Sequence, residues 1–463
     1  MATSSIPTEL GTKKVSTLLK EYAVPGIIAM TASSLYNMVD SIYIGHIAEV
    51  GSYAISGLAV TFPLMNISAA LGTLVGIGAS TMISVLLGQK NYKAANTVLA
   101  NEVTLNTMIG LVFMTVMLCW LNPVLRFFGA SDNTLPFAHD YMQIILFGNV
   151  FTHLYFGLNS VIRASGNPRL AMGLTLFTVI SNSILDPIFI FGLGMGIRGA
   201  ALATVLCQFA ALCYTMWYFT DRKKFLHLPK GIFALDWRVA KDSLSIGMGP
   251  FLMNSAACIV ALFINQQLGK YGGDLSIGAY GIVNRISFLF VMINAGLNQG
   301  MQPIAGYNYG ARLYSRVKEA YLLAVKWATV VSIIGFLISE LTPGLVVSAF
   351  TNDPALKEIA VKGLRCMNIV FALVGFQMIS TNLFQCLGMV NKSIILSLSR
   401  QLLFLVPCIY ILPNWFGVKG VWYSFPISDS LSCLLTVVLI IQLIRKFNRL
   451  ADGEDPAILG SKI

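Results

Sequence analysis

The sequence predicts an all-α integral membrane protein, with twelve transmembrane helices in two pseudo-symmetric six-helix lobes around a central cavity. Three observations carry that expectation. Hydrophobic residues make up 56% of the 463 positions and charged residues only 11%, where soluble domains hold about 25% charge. Twelve apolar runs reach the ~20 residues that a helix needs to cross the hydrocarbon. The chain also repeats itself: a shift of 222 residues brings its turn residues into register. This composition excludes a disordered chain, a collagen-like fibre and a secreted disulfide scaffold. The net charge of +11 does not point to nucleic acid, because the cations sit in short loops between apolar runs.

Residues 1–20 carry Lys13, Lys14 and Lys20 but no apolar core, so no cleavable signal peptide is expected. The first six runs fall at 22–45, 53–87, 94–121, 136–162, 168–191 and 197–219. A polar basic stretch follows, and then runs at 242–268, 275–309, 317–341, 355–387, 391–412 and 418–444. They are too long and too continuously apolar for barrel strands. The second and eighth exceed a simple span, so each is expected to tilt or to include an interfacial turn.

Loop charges test the count. With the N-terminus inside, 21 of the 31 lysines and arginines fall in cytoplasmic segments and 6 in external ones, while Arg285, Lys326, Arg365 and Arg400 lie within spans. That bias places both termini in the cytoplasm. In the repeat, Gly78 meets Gly300, Gly88 meets Gly310, Lys90 meets Arg312 and Gly166 meets Gly388. With a short gap, Pro187 meets Pro407 and Gly196 meets Gly417. The domains are therefore expected at 1–219 and 242–446, with a cytoplasmic linker at 220–241 and a tail at 447–463. Six spans per copy is an even number, so the copies share one orientation.

Charge inside a membrane is costly and usually functional. Asp40 on the first span and Asp186 on the fifth each lie five residues from the outer end, about 8 Å deep. Thr204 on the sixth lies at a similar depth. Tyr36 and Asn182 stand four residues before the two acids, on the same helix faces. Two carboxylates in a dry pocket cannot both stay ionised cheaply, and a proton or Na⁺ would relieve them. Pro25 and Pro187 remove backbone hydrogen bonds and favour helix bends. Glu102 reads as a structural pair nearer the inner side. Phe62, Met65, Phe151 and Met292 offer an adaptable apolar surface for a substrate cavity.

The eight cysteines lie inside apolar runs and read as small packing residues. The four histidines lack metal-ligand spacing. Gly194–Gly199 fits a dinucleotide-binding pattern but sits between membrane helices, and no phosphate-binding loop with a following Lys occurs. Neither ATP hydrolysis nor any other enzyme activity is expected, and no cofactor.

The segments Ser34–Asp40, Arg163–Pro168, Asn182–Pro187, Gly196–Ala201 and Gln302–Gly310 resemble the multidrug and toxic compound extrusion (MATE) family, in its MepA-like bacterial branch. The resemblance implies a secondary transporter of the bacterial inner membrane, exporting organic compounds against H⁺ or Na⁺. It assigns Tyr36, Asp40, Asn159, Asn182, Asp186 and Thr204 to a first-lobe coupling site, with Pro25 at a bend, and Gln208 lies one turn beyond Thr204. Where other members carry acids for Na⁺ on the seventh and tenth spans, this chain has Asn254, Ser255 and Gln377. First-lobe coupling follows, with any Na⁺ at Asp40 and Asp186. The expected function is antiport of amphipathic, cationic or zwitterionic small molecules by alternating access of two lobes in a monomer. The rival readings are a flippase for a lipid-linked oligosaccharide or other lipid precursor, and a membrane receptor or scaffold.

Overall fold

The computed structural model describes residues 9–45, 47, 51–229, 231, 235–350 and 352–455. Lys230, Lys462 and the last eight positions of the expected tail lie outside the described residues. Every regular element among the described residues is helical.

In the first repeat the helices are Val15–Gly45, Gly51–Gly88 and Tyr92–Cys119. Leu135–Phe147 and Asn149–Ala164 follow, together one span bent by 57°. Pro168–Pro187 and Ile197–Thr220 complete the six. The second repeat runs Trp237–Gly273, Leu275–Gly310 and Tyr314–Leu341, then Pro354–Asn368 with Ala372–Cys386 bent by 52°, then Val390–Phe416 and Val418–Phe447. Among the described residues a helix or bent helix pair stands at each of the twelve expected runs, and up to eleven of these are long and apolar enough to cross a membrane. The helix Gly51–Gly88 runs unbroken for 38 residues, about 57 Å at 1.5 Å per residue, so its excess length is continuous helix with no interfacial turn.

The repeat is written into the backbone. The fourth span of each copy is the bent one. The fifth span of each carries a π-helical stretch, Ile188–Gly192 directly after Pro187 and Ser399–Leu405 shortly before Pro407. A proline lacks the N–H that would close the α-helical ladder, and a wider turn accommodates its absence. Lys90 and Arg312, matched in the sequence, share the left-handed φ values of 58° and 59°. Gly196 and Gly417 do the same at 58° and 59°.

Contacts group the chain into two compact units, 1–12 with 28–251 and 13–27 with 252–463. Each unit thus takes the leading segment of the other repeat's first helix. Missing side chains explain both attachments. In one unit, a Cβ on Gly247 would run into the carbonyl of Leu74, and one on Gly78 into that of Ser243. In the other, a Cβ on Gly26 would lie 2.5 Å from the carbonyl oxygen of Gly296, and one on Gly300 2.5 Å from the backbone of Ala23. Small residues let helix backbones touch where burial against lipid gives no hydrophobic advantage. The first unit has its core around Leu64, Leu125, Tyr141 and Leu146, and the second around Ile264, Val283, Leu364 and Val421.

Candidate functional site

Three helices of the first unit converge on one phenol oxygen. Tyr36, on Val15–Gly45, donates its O–H to Asn182 Oδ1 on Pro168–Pro187 at 3.2 Å. The same oxygen lies 3.0 Å from Thr204 Oγ1 on Ile197–Thr220. These are the three spans whose polar residues share a depth in the sequence. Asp40 and Asp186 stand one turn beyond Tyr36 and Asn182, on the same faces.

All of these groups except Tyr36 are almost fully buried: Asp40 is 6% exposed, Asn182 3%, Asp186 0% and Thr204 8%. Asp186 lies within electrostatic reach of Asp40, and Tyr141 on Leu135–Phe147 within reach of both. Among the described residues, Asp40 Oδ1, both oxygens of Asp186 and Asn182 Nδ2 have no partner at hydrogen-bond distance. Among the described residues no ion pair includes either acid. A buried polar atom left without a partner is expensive, and a buried unpaired charge far more so. The cluster therefore collects hard oxygen donors and negative charge with no cation to balance them. Such a donor set suits a proton or a hard cation. Tyr141 is a member that sequence reasoning missed, because nothing in its spacing sets it apart from other span aromatics.

The expected cavity residues are dispersed. Gln208 accepts a hydrogen bond from Thr152 Oγ1 at 2.5 Å, and Phe151 packs edge-to-face on Phe209 at 4.8 Å. Phe62 is 63% exposed. Met65 accepts a contact from Thr61 Oγ1 and packs on the core. Met292 is half-buried in the second unit. Asn159 is held elsewhere: its Nδ2 donates to Ala171 O at 3.2 Å and its Oδ1 accepts from Arg163 at 3.0 Å. Pro25 is buried within a helix that runs on through it, and Pro187 leads into the π-helical turn.

The second unit is built otherwise. Arg400 Nε donates to Asp429 Oδ1 at 2.6 Å and Nη2 reaches Oδ2 at 3.5 Å. Gln377 donates to Ser432, which pairs with Ser399 at 2.7 Å.

The MatE family model matches residues 25–188 and again 250–411, one match per repeat. The multidrug export protein MepA of Staphylococcus aureus (strain N315) is 29% identical over 428 residues, covering 92% of this chain and 93% of that protein. MepA of Staphylococcus haemolyticus is 26% identical over 425 residues, with the same coverage of both. A solved structure of the MATE multidrug transporter DinF-BH superposes with a TM-score of 0.87 at 36% identity, over 93% of this chain and 96% of that one. The outward-facing conformation of a multidrug resistance MATE family transporter gives a TM-score of 0.89 at 24% identity, over 96% and 99%.

Proposed function

The chain belongs to the MatE family, and on that premise we propose that it is a secondary multidrug efflux transporter of the bacterial inner membrane. It antiports amphipathic organic cations or zwitterions against H⁺ or Na⁺ by alternating access of its two repeats. It works as a monomer with both termini in the cytoplasm. One observation supports this above the rest: Asp40 and Asp186 are buried together without a cation, beside the Tyr36–Asn182–Thr204 junction.

The physics of exchange follows from that charge. An ionised pair in a dry site costs several kcal/mol. A proton or Na⁺ offsets that cost, and so does the positive charge of an organic cation, so the two ligands compete for the same carboxylates. Mutual exclusion of this kind is what antiport requires, since each ligand must favour a different state. Tyr36, Asn182 and Thr204 orient the acids by tying the two helices that carry them to a third. Within the first unit, Phe62, Met65, Phe151 and Gln208 are the proposed contacts for the apolar body of the substrate, while Asn159, engaged by Arg163 and Ala171, is not among them.

The flippase reading draws on mid-span cations that would hold a pyrophosphate. Arg400 is already engaged by Asp429 and Arg365 lies 4.0 Å from Glu340, which weakens that reading. Reconstitution into liposomes, with ΔpH and ΔNa⁺ imposed separately against a panel of fluorescent cations, is the test. Wild-type protein should export dye under at least one gradient, and Asp40→Asn and Asp186→Asn should each abolish it while inserting normally. Normal efflux by both variants contradicts the assignment.

A further inference from the structure

A third acid in the first unit has no part in the site above. Glu102, on Tyr92–Cys119, is 1% exposed. Its Oε1 accepts a hydrogen bond from Asn106 Nδ2 at 2.7 Å, and its Oε2 has no partner among the described residues. The helix Asn149–Ala164 makes room for it: a Cβ on Gly157 would overlap the Glu102 carboxylate and the Asn106 amide. One turn along that helix lies His153, 0% exposed, with Nε2 3.2 Å from Ser68 Oγ and Nδ1 without a partner. The seam thus holds an acid and a base, each with one buried polar atom unmet.

Among the described residues no ion pair includes the acid. Gly51–Gly88 contains no Asp, Glu, Lys, Arg or His. On Asn149–Ala164 the nearest cation in sequence to this seam is Arg163, which donates to Asn159 and Ser160. On Leu135–Phe147, Asp140 pairs with Arg198, His139 lies against Asn122, and Tyr141 belongs to the Asp40–Asp186 cluster. From the linker, Asp236 presents its backbone N–H to Asn101 Oδ1 at 2.9 Å and His227 its own to Asn96 Oδ1. The next helix offers the apolar Ala240 and Leu244, while Lys241 is exposed. An ionised Glu102 would stand as a buried carboxylate with only an amide to balance it, which is strongly unfavourable. One amide and a crowded glycine face also leave too few oxygens for a metal ion.

The fold does not demand this arrangement. Under the 222-residue shift, Glu102, Asn106 and His153 correspond to Ala324, Ala328 and Gly375. Those residues make the same helix crossing in the second unit, where a Cβ on Gly375 would meet the Ala328 carbonyl and Ser332 Oγ. Ala324 and Ala328 are fully buried there. At these three positions one repeat has two methyl groups and a glycine, and the other an acid, an amide and an imidazole.

We propose that Glu102 is a second proton-binding site of the first lobe, with Asn106 and His153 as its polar surround, and that its proton is exchanged during transport. This goes beyond the Asp40–Asp186 site and can hold whether or not that site carries the coupling ion. The test is infrared difference spectroscopy of the protein in liposomes during a pH titration, together with a count of protons moved per substrate. Wild-type protein should show a protonated-carboxyl C=O band that disappears in Glu102→Gln and persists in Asp40→Asn/Asp186→Asn. Glu102→Gln should also move one proton fewer per substrate and lose one step from the pH profile of transport. A variant copying the second repeat, Glu102→Ala with Asn106→Ala, guards against misfolding of the single change and should behave like Glu102→Gln. An unchanged band and an unchanged proton count in either folded variant overturns the proposal. Reduced thermal stability with an unchanged proton count assigns Glu102 a purely structural role and overturns it equally.

Discussion

The two repeats share one backbone plan and treat buried acid in opposite ways. In the first, Asp40 and Asp186 lie within electrostatic reach of each other with no cation beside them. In the second, Asp429 is 6% exposed and held by Arg400 at 2.6 Å, and the carbonyl of Arg400 accepts Ser428 Oγ at 2.5 Å. The fold tolerates either solution, so neither is needed to build it. A lobe that carries its own cation is electrostatically complete. Under the proposed function, a lobe that lacks one takes up a mobile cation, and changes state when that cation arrives or leaves.

Giving the first lobe a tethered cation should have the largest effect. Asn182→Lys sets an ammonium one turn from Asp186, and gradient-driven export should fall to the protein-free background in proteoliposomes. Undoing the second lobe's pair comes next. Arg400→Met leaves Asp429 buried alone and should cost about 2 to 3 kcal/mol, toward the low end for a buried pair because the arginine stays 29% exposed. Arg400→Met with Asp429→Leu should recover most of that loss in thermal unfolding and keep export near wild type. A double variant as unstable as the single one contradicts the view that the pair is only internally balanced charge.

Tyr36→Phe tests the junction that joins the three helices. Losing the phenol contacts to Asn182 and Thr204 should cost about 1 kcal/mol each. If the whole loss falls on the ion-bound state, the apparent affinity for the coupling ion should fall roughly thirtyfold, read from the ion dependence of transport at fixed dye. The smallest effect is expected at the tail. Asp452 accepts hydrogen bonds from Ser315 N at 3.0 Å and from Ser315 Oγ. Partial burial pushes its carboxyl up, but these bonds outweigh it and hold the group below the usual carboxylate range. A lowered value stabilises the docked tail fully above the ordinary carboxylate range, and that contribution is lost as pH falls through the lowered value. Protection factors of the 451–455 amides, corrected for intrinsic exchange at each pH, should therefore stay high at pH 7 and fall in strong acid. Ser315→Ala should cost under about 1 kcal/mol.

The architecture was legible because membrane helices must satisfy their backbone internally, which writes long apolar runs and basic loops into the chain. The repeat showed in residues with a backbone reason to match, such as Lys90 with Arg312 and Gly196 with Gly417, all at left-handed φ. The junction of Tyr36, Asn182 and Thr204 was legible through depth and four-residue spacing. Partners across helices were not. Helical position cannot reveal that Arg400 reaches Asp429, or that Tyr141 lies within electrostatic reach of both acids. Asn159 was placed by its match to a motif, yet its amide is consumed by Arg163 and Ala171. The exchange of leading helix segments between units depends on Gly26, Gly247 and Gly296, whose role is visible only when the opposing backbone is in place.

Side-by-side proteoliposome assays of wild type, Asp186→Asn and the Arg400→Met/Asp429→Leu double variant, with ion flux and dye flux recorded together, bear most directly on where coupling resides. Wild type and the second-lobe variant should move both ligands in fixed ratio, and Asp186→Asn should move neither under a gradient. Coupled flux that survives in Asp186→Asn but vanishes in the double variant would put the engine in the other lobe.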